Sequence, residues 1–110
     1  MILRIAEEFS RLPGPRFRRE GENSAEQFRE ELLIPRFKEA DSSGQILLVD
    51  LDGVFGYATS FLEESFGGLA RQFGIERVLS CLSFKSSDEP YLEDDIVRYV
   101  RESTTGARVR

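Results

Sequence analysis

Histidine and tryptophan are absent from this 110-residue chain, and cysteine and methionine occur once each. Without histidine there is no Ser-His-Asp or Cys-His catalysis and no histidine-ligated zinc. A lone Cys81, set in the apolar run RVLSCLSF, cannot form an internal disulfide and reads as a small buried hydrophobe. Long apolar runs are missing too. No stretch approaches the roughly 20 residues that span a bilayer, and the opening MILRIAEEFS is too short in apolar residues and charged too early for a secretory leader. The expectation is a cytoplasmic protein that is not held in a membrane. A formal charge of −5 argues against nucleic acid as a general partner.

What remains is an ordinary globular composition: 40% apolar residues and nine phenylalanines, enough for one core. The expected layout is one domain over 1–102 and a flexible tail over 103–110. Hydrophobic periodicity predicts strands over 2–9, 16–19, 46–51 and 77–84. Helices are predicted from Ser24, from Ser60 and around Leu92 to Val100. The order β-β-α-β-α-β-α makes an α/β fold, a small mixed sheet of four strands with three helices packed on it. Pro35 is expected to kink the first helix or end it near Leu33, and 41–44 is expected to be a loop. Ser24 with Gln27, and Ser60 with Glu63, have capping-box spacing. Asp88 is expected to cap the last helix. Gly67 and Gly68 inside the second helix predict a close approach of its backbone to the sheet.

Two chemical signals lie between Gly44 and Gly74. The first is the strand-end Asp50-Leu51-Asp52-Gly53-Val54. It resembles the first motif of the haloacid-dehalogenase phosphatases. That resemblance implies Asp50 as nucleophile and Asp52 as acid/base beside magnesium. The plainer reading has both carboxylates accepting hydrogen bonds from loop amides, as Asp does in turns, with no metal. Arg16, held by the Gly14-Pro15 turn, is expected to pair internally with Asp50, Asp52 or Glu26.

The second signal is the hydroxyl pair Thr59-Ser60 at a helix start. The segment VDLDGVFGYATSFLEES is similar, without gaps, to the strand, loop and helix start of the STAS domains of anti-sigma-factor antagonists. The chain also resembles a STAS-like family of small bacterial proteins of unassigned function. The residues that carry this are Gly14-Pro15-Arg16, Ser24-Ala25-Glu26-Gln27-Phe28-Arg29, Asp50-Leu51-Asp52-Gly53, Ser60-Phe61-Leu62-Glu63-Glu64 and Phe66-Gly67-Gly68-Leu69.

The resemblance implies a non-enzymatic regulatory module without a cofactor. Its partner would be a protein, a histidine-kinase-like ATPase of the anti-sigma type. Docking would use Phe55, Tyr57, Ala58, Thr59, Ser60 and Glu63, switched by phosphorylation of Thr59 or Ser60. Relative to the antagonists, Ala58 stands where an Asp precedes the hydroxyls and Phe61 where a Gly follows. Glu63 and Glu64 add negative charge in the first turn, which suits the helix dipole and opposes a phosphate. A self-associating structural domain, forming a homo-oligomer, is the third reading.

Overall fold

The structure is a computed structural model, and it describes residues 1–103. The tail expected from 103 onward lies outside the described residues except for Ser103, which is buried and donates its hydroxyl to the Val100 carbonyl at 2.7 Å.

Strand β1 (Ile2–Arg4) runs directly into a single helical turn, α1 (Ile5–Glu8). A 3-10 turn (Arg18–Glu20) follows, then helix α2 over residues 25–43 and strand β2 (Leu47–Asp50). Helix α3 covers residues 59–73, helix α4 is Ile75–Cys81, strand β3 is Leu82–Lys85, and helix α5 is Leu92–Glu102. The three strands pair in the order β1-β2-β3, both pairs parallel, with Leu3 opposite Val49 and Val49 opposite Phe84. The α/β class holds. Among the described residues the sheet has three strands and not the expected four, and the antiparallel element is absent.

The missing strand has a local cause. Residues 16–19 were expected to pair with β1, but their backbone is already engaged. The N–H groups of Phe17 and Arg18 donate to the carboxylates of Glu20 and Glu26 at 2.9 and 3.0 Å. The carbonyls of Pro15 and Arg16 accept from Ala25 and Glu26, the first residues of α2, at 2.9 and 3.0 Å. The segment thereby satisfies a helix start whose N–H groups have no intrahelical acceptor. Gly14 makes the close return possible, because a Cβ there would lie 2.1 Å from the Glu22 carbonyl oxygen. Strand β1 is also shorter than expected, since Arg4 N–H turns to the Glu8 carboxylate at 2.9 Å and the helical turn begins.

Ser24 caps α2 as expected, accepting from Gln27 N–H at 3.0 Å, while the Gln27 amide reaches forward to Glu31 rather than back. Pro35 does not end the helix. A π-helical stretch, Arg29–Leu33, precedes it, and helix resumes to Ser43. The wider i→i+5 turn relieves the crowding that a proline ring imposes on the turn before it. Gly44, at φ 70°, then stops the helix where a loop had been expected from residue 41. The predicted strand over 77–84 is divided: its first half continues α4, with Val78 and Cys81 turned inward, and only its second half pairs with β2.

Among the described residues, one face of the sheet is buried and the other is open. Leu3, Leu47, Val49 and Leu82 lie inward, whereas Ile2, Arg4, Ser83 and Lys85 are exposed. Parallel sheets usually have both faces covered. The helices pack on the inward face through fully buried Phe28, Phe37, Phe61 and Phe66. Phe9, Phe28 and Phe61 form a ring cluster with centroids 5.3 to 6.2 Å apart, and Phe66 meets Phe84 edge-on at 5.5 Å. Each such burial stabilises by roughly 1.5–3 kcal/mol. Cys81 is buried as expected, and burial, with Asp41 nearby, raises its thiol above the ordinary range.

Candidate functional site

Strand β2 delivers Asp50 to the carboxyl end of the sheet, the edge at which open α/β folds present their loops. Asp50 Oδ1 accepts from Asp52 N–H at 3.0 Å, a local turn bond of the kind Asp forms readily. Asp52 then reaches across the sheet end. Its Oδ1 accepts from Asp88 N–H at 2.9 Å and its Oδ2 from Lys85 Nζ at 3.1 Å. Asp88 returns the contact, accepting Gly53 N–H at 3.0 Å. The loop after β2 and the loop after β3 are thus clasped by reciprocal carboxylate–amide bonds. Asp88 serves here and does not cap α5, whose N-cap position is Tyr91 with no side-chain capping bond.

The clasp has an electrostatic signature. The Asp88 amide and the Lys85 ammonium hold the Asp52 carboxyl below its ordinary range, and the same ion pair raises Lys85. Gly53 sits at φ 85°, a left-handed conformation that favours glycine, with its carbonyl accepting from Arg11 Nη1 at 3.0 Å. Phe55 N–H donates to the Arg11 carbonyl at 2.9 Å. Tyr57 is half-buried and donates to the Leu51 carbonyl at 2.8 Å. Burial and the charges of Asp50 and Asp52 push its phenol well above the usual value.

Within this tied loop Phe55 is 80% exposed, and Leu12, next to Arg11, is 64% exposed. Ala58 and Thr59 are exposed and Ser60 is half-buried. Ala58 occupies the N-cap position of α3 with no side-chain capping bond, so Thr59 and Ser60 are the first helical residues. The predicted Ser60–Glu63 capping box therefore does not form. Glu63 has stronger partners.

Those partners are arginines. Glu63 binds Arg16 and, at 2.8 Å, Arg71. Glu64, only 5% exposed, takes Arg29 at 2.6 Å and Arg16 at 3.1 Å. Burial alone would raise Glu63, but Arg71 and Arg16 outweigh it and hold the carboxyl below its ordinary range. Arg16 is paired internally as expected, but with Glu63 and Glu64. Asp50, Asp52 and Glu26 are bonded elsewhere, to Asp52 N–H, to Lys85 and Asp88, and to Arg18 N–H.

The glycine pair serves this network and not an approach to the sheet. A Cβ on Gly68 would lie 2.7 Å from Arg29 Nη1, and one on Gly67 would lie 2.9 Å from Glu63 Oε2 and 3.4 Å from the Tyr99 carbonyl of α5. Sequence reasoning placed neither Arg29 nor Arg71 in a network. The signal for Arg29 was the pairing of a helix-borne arginine with two adjacent glutamates and a glycine pair on another helix.

These features define a small α/β domain with a three-stranded parallel sheet, a clasped loop at its carboxyl end and a helix beginning on an exposed hydroxyl. The family model of a STAS-like domain of unknown function matches residues 24–92, and the chain belongs to that family. No curated protein and no solved structure matches the chain. Among the described residues no helix is long and apolar enough to cross a membrane.

Proposed function

We propose that this STAS-like domain is a non-enzymatic regulatory module that binds a protein partner through the clasped loop and the start of α3. The observation that carries this reading is Phe55, a large apolar side chain left 80% exposed on a loop whose backbone is tied on both sides. A tied loop loses little entropy on binding, so such an anchor contributes most of its desolvation to affinity. Tyr57 and Ala58 lead from Phe55 to Thr59 and Ser60. Asp50 and Asp52 enter as the hinge of the clasp, with Asp52 hydrogen-bonded on both oxygens.

By likeness to the anti-sigma-factor antagonists, the partner is a histidine-kinase-like ATPase, and Thr59 or Ser60 is its phosphoacceptor. Thr59 is the more accessible of the two. A phosphoryl group there carries about −1.5 to −2 charges. It would stand one helical turn from Glu63 and weaken docking by repulsion and desolvation. The test is co-expression with such an ATPase, followed by mass spectrometry and a binding titration. Phe55→Ala is expected to weaken binding by about tenfold or more, as loss of a central anchor does. If Thr59→Ala/Ser60→Ala binds like wild type and neither residue is ever modified, the switch is wrong. Equal affinity of Phe55→Ala would remove the docking surface itself.

A further inference from the structure

The two edges of the sheet are finished differently. At the outer edge of β1, the Ile2 carbonyl accepts from Arg36 Nη1 at 3.1 Å and Arg4 N–H donates to Glu8 Oε2 at 2.9 Å. Arg36 and Glu8 are themselves an ion pair, so a side-chain bridge covers this edge. Blocking an edge in this way prevents strand addition.

Among the described residues, the outer edge of β3 has no such cover. The Lys85 carbonyl accepts from Leu51 N–H at 2.8 Å, which turns the backbone of Ser83 and Lys85 toward β2 and that of Leu82 and Phe84 outward. Leu82 N–H is used by the Val78 carbonyl at the end of α4. Among the described residues, the Leu82 carbonyl, both backbone groups of Phe84, and Ser86 N–H have no partner.

That set is self-complementary. Placed antiparallel about a two-fold axis at Phe84, two copies would exchange N–H and carbonyl between the two Phe84 residues. Ser86 N–H of each would meet the Leu82 carbonyl of the other, while Leu82 N–H, already given to the Val78 carbonyl, leaves the return bond to the Ser86 carbonyl unmade. The same register sets half-exposed Phe84 beside its copy, extending the Phe66–Phe84 contact. It places exposed Lys85 opposite Ser83 and not opposite another lysine. We propose that β3 joins β3 of a second copy of this chain in this register, making one continuous sheet across an isologous dimer.

Sedimentation equilibrium on the full chain, over a range reaching high micromolar concentration, tests this. A reversible dimer is expected. Ser83 is exposed, so its substitution leaves the monomer fold intact. Ser83→Glu would face Lys85 of the other copy and tighten the dimer, whereas Ser83→Lys would loosen it, each by roughly threefold to tenfold for two cross-strand pairs. Net charge alone predicts the reverse, because the chain is already at −5 and an added glutamate raises repulsion between copies. Phe84→Pro removes an outward donor and is expected to give a monomer, with circular dichroism reporting its fold. A chain that stays monomeric throughout, or a dimer indifferent to the sign of charge at position 83, would overturn the proposal.

Discussion

Arg29 holds Glu64 at two points: Nη1 donates to the carboxylate at 2.6 Å and to the backbone carbonyl at 2.9 Å. The first contact balances charge. The second joins the π-helical stretch of α2 to that of α3, so the two widened turns face each other through one guanidinium. The Glu64 carbonyl also accepts from Gly68 N–H, so Arg29 fills the second acceptor position of that oxygen.

Removal of this arginine is expected to be costly. Arg29→Met would leave Glu64, 5% exposed, with Arg16 and Arg71 in reach but without its shortest partner. Breaking a buried pair from one side destabilises by about 3 kcal/mol or more. Urea unfolding should show a lower midpoint at unchanged slope. The double variant Arg29→Met/Glu64→Leu should recover part of the loss, because the buried carboxylate leaves together with its closest partner while Arg16 and Arg71 keep Glu63. If Arg29→Met were neutral, the network would be shown to contribute little.

Gly68 offers a change whose sign is unusual. Gly→Ala inside a helix ordinarily stabilises by about 1 kcal/mol. Here the added methyl would lie 2.7 Å from Arg29 Nη1 and displace it from Glu64. Gly68→Ala is therefore expected to lower thermal stability. Gly56→Ala, in a loop position where a Cβ meets nothing within 4 Å, should have little effect. Paired thermal melts of the two variants separate crowding from propensity. A stabilised Gly68→Ala would mean that Arg29 moves freely.

The carboxyls set an acid limit. Glu63 and Asp52 both lie below their ordinary ranges in the folded protein. A carboxyl depressed on folding contributes stability that is fully present above its unfolded value, near 4. That contribution is lost as pH falls through the lower folded value. Stability should thus be level near neutrality and decline as the solution is acidified below the ordinary carboxylate range. Glu63→Gln should be less stable than the parent near neutrality and show a shallower acid decline. Denaturant titrations across that range would check it. Parallel curves for parent and variant would show that Glu63 is not among the groups responsible.

Much of the fold was legible where one local rule acts alone. The apolar run at Leu47 to Val49 became the central strand, Ser24 became a cap, and the spacing of Leu62, Phe66 and Leu69 became a buried helix face. Prediction failed where a partner far along the chain competes for the same groups. Ser60 and Glu63 have capping spacing, yet Glu63 goes to Arg16 and Arg71. Residues 16–19 have an edge-strand look, yet the Arg16 carbonyl and Arg18 amide are used by the start of α2, and the Phe17 amide and the Phe17 and Arg18 carbonyls by Glu20 and Gly21. Pro35 reads as a kink or a stop, and of the two the stop does not occur: the turn before it widens and the helix continues.

The candidate site divides in the same way. Asp50, Asp52, Thr59 and Ser60 were marked by residue type and spacing along one segment. Their surroundings were not. The reciprocal bonds between Asp52, Gly53 and Asp88 join positions 35 and 36 residues apart, and no periodicity announces such a pairing.

By itself the sequence determined the α/β class, the family likeness, the core faces and the chemical types available, because apolar period, caps and turn residues act within a few positions. Only the tertiary structure decided the strand count, the partners of Arg16, the service of Gly67 and Gly68 to an ion network, and which sheet edge stays open. Those outcomes depend on which distant charge or backbone group arrives first within hydrogen-bonding range, and that is a property of the packed chain.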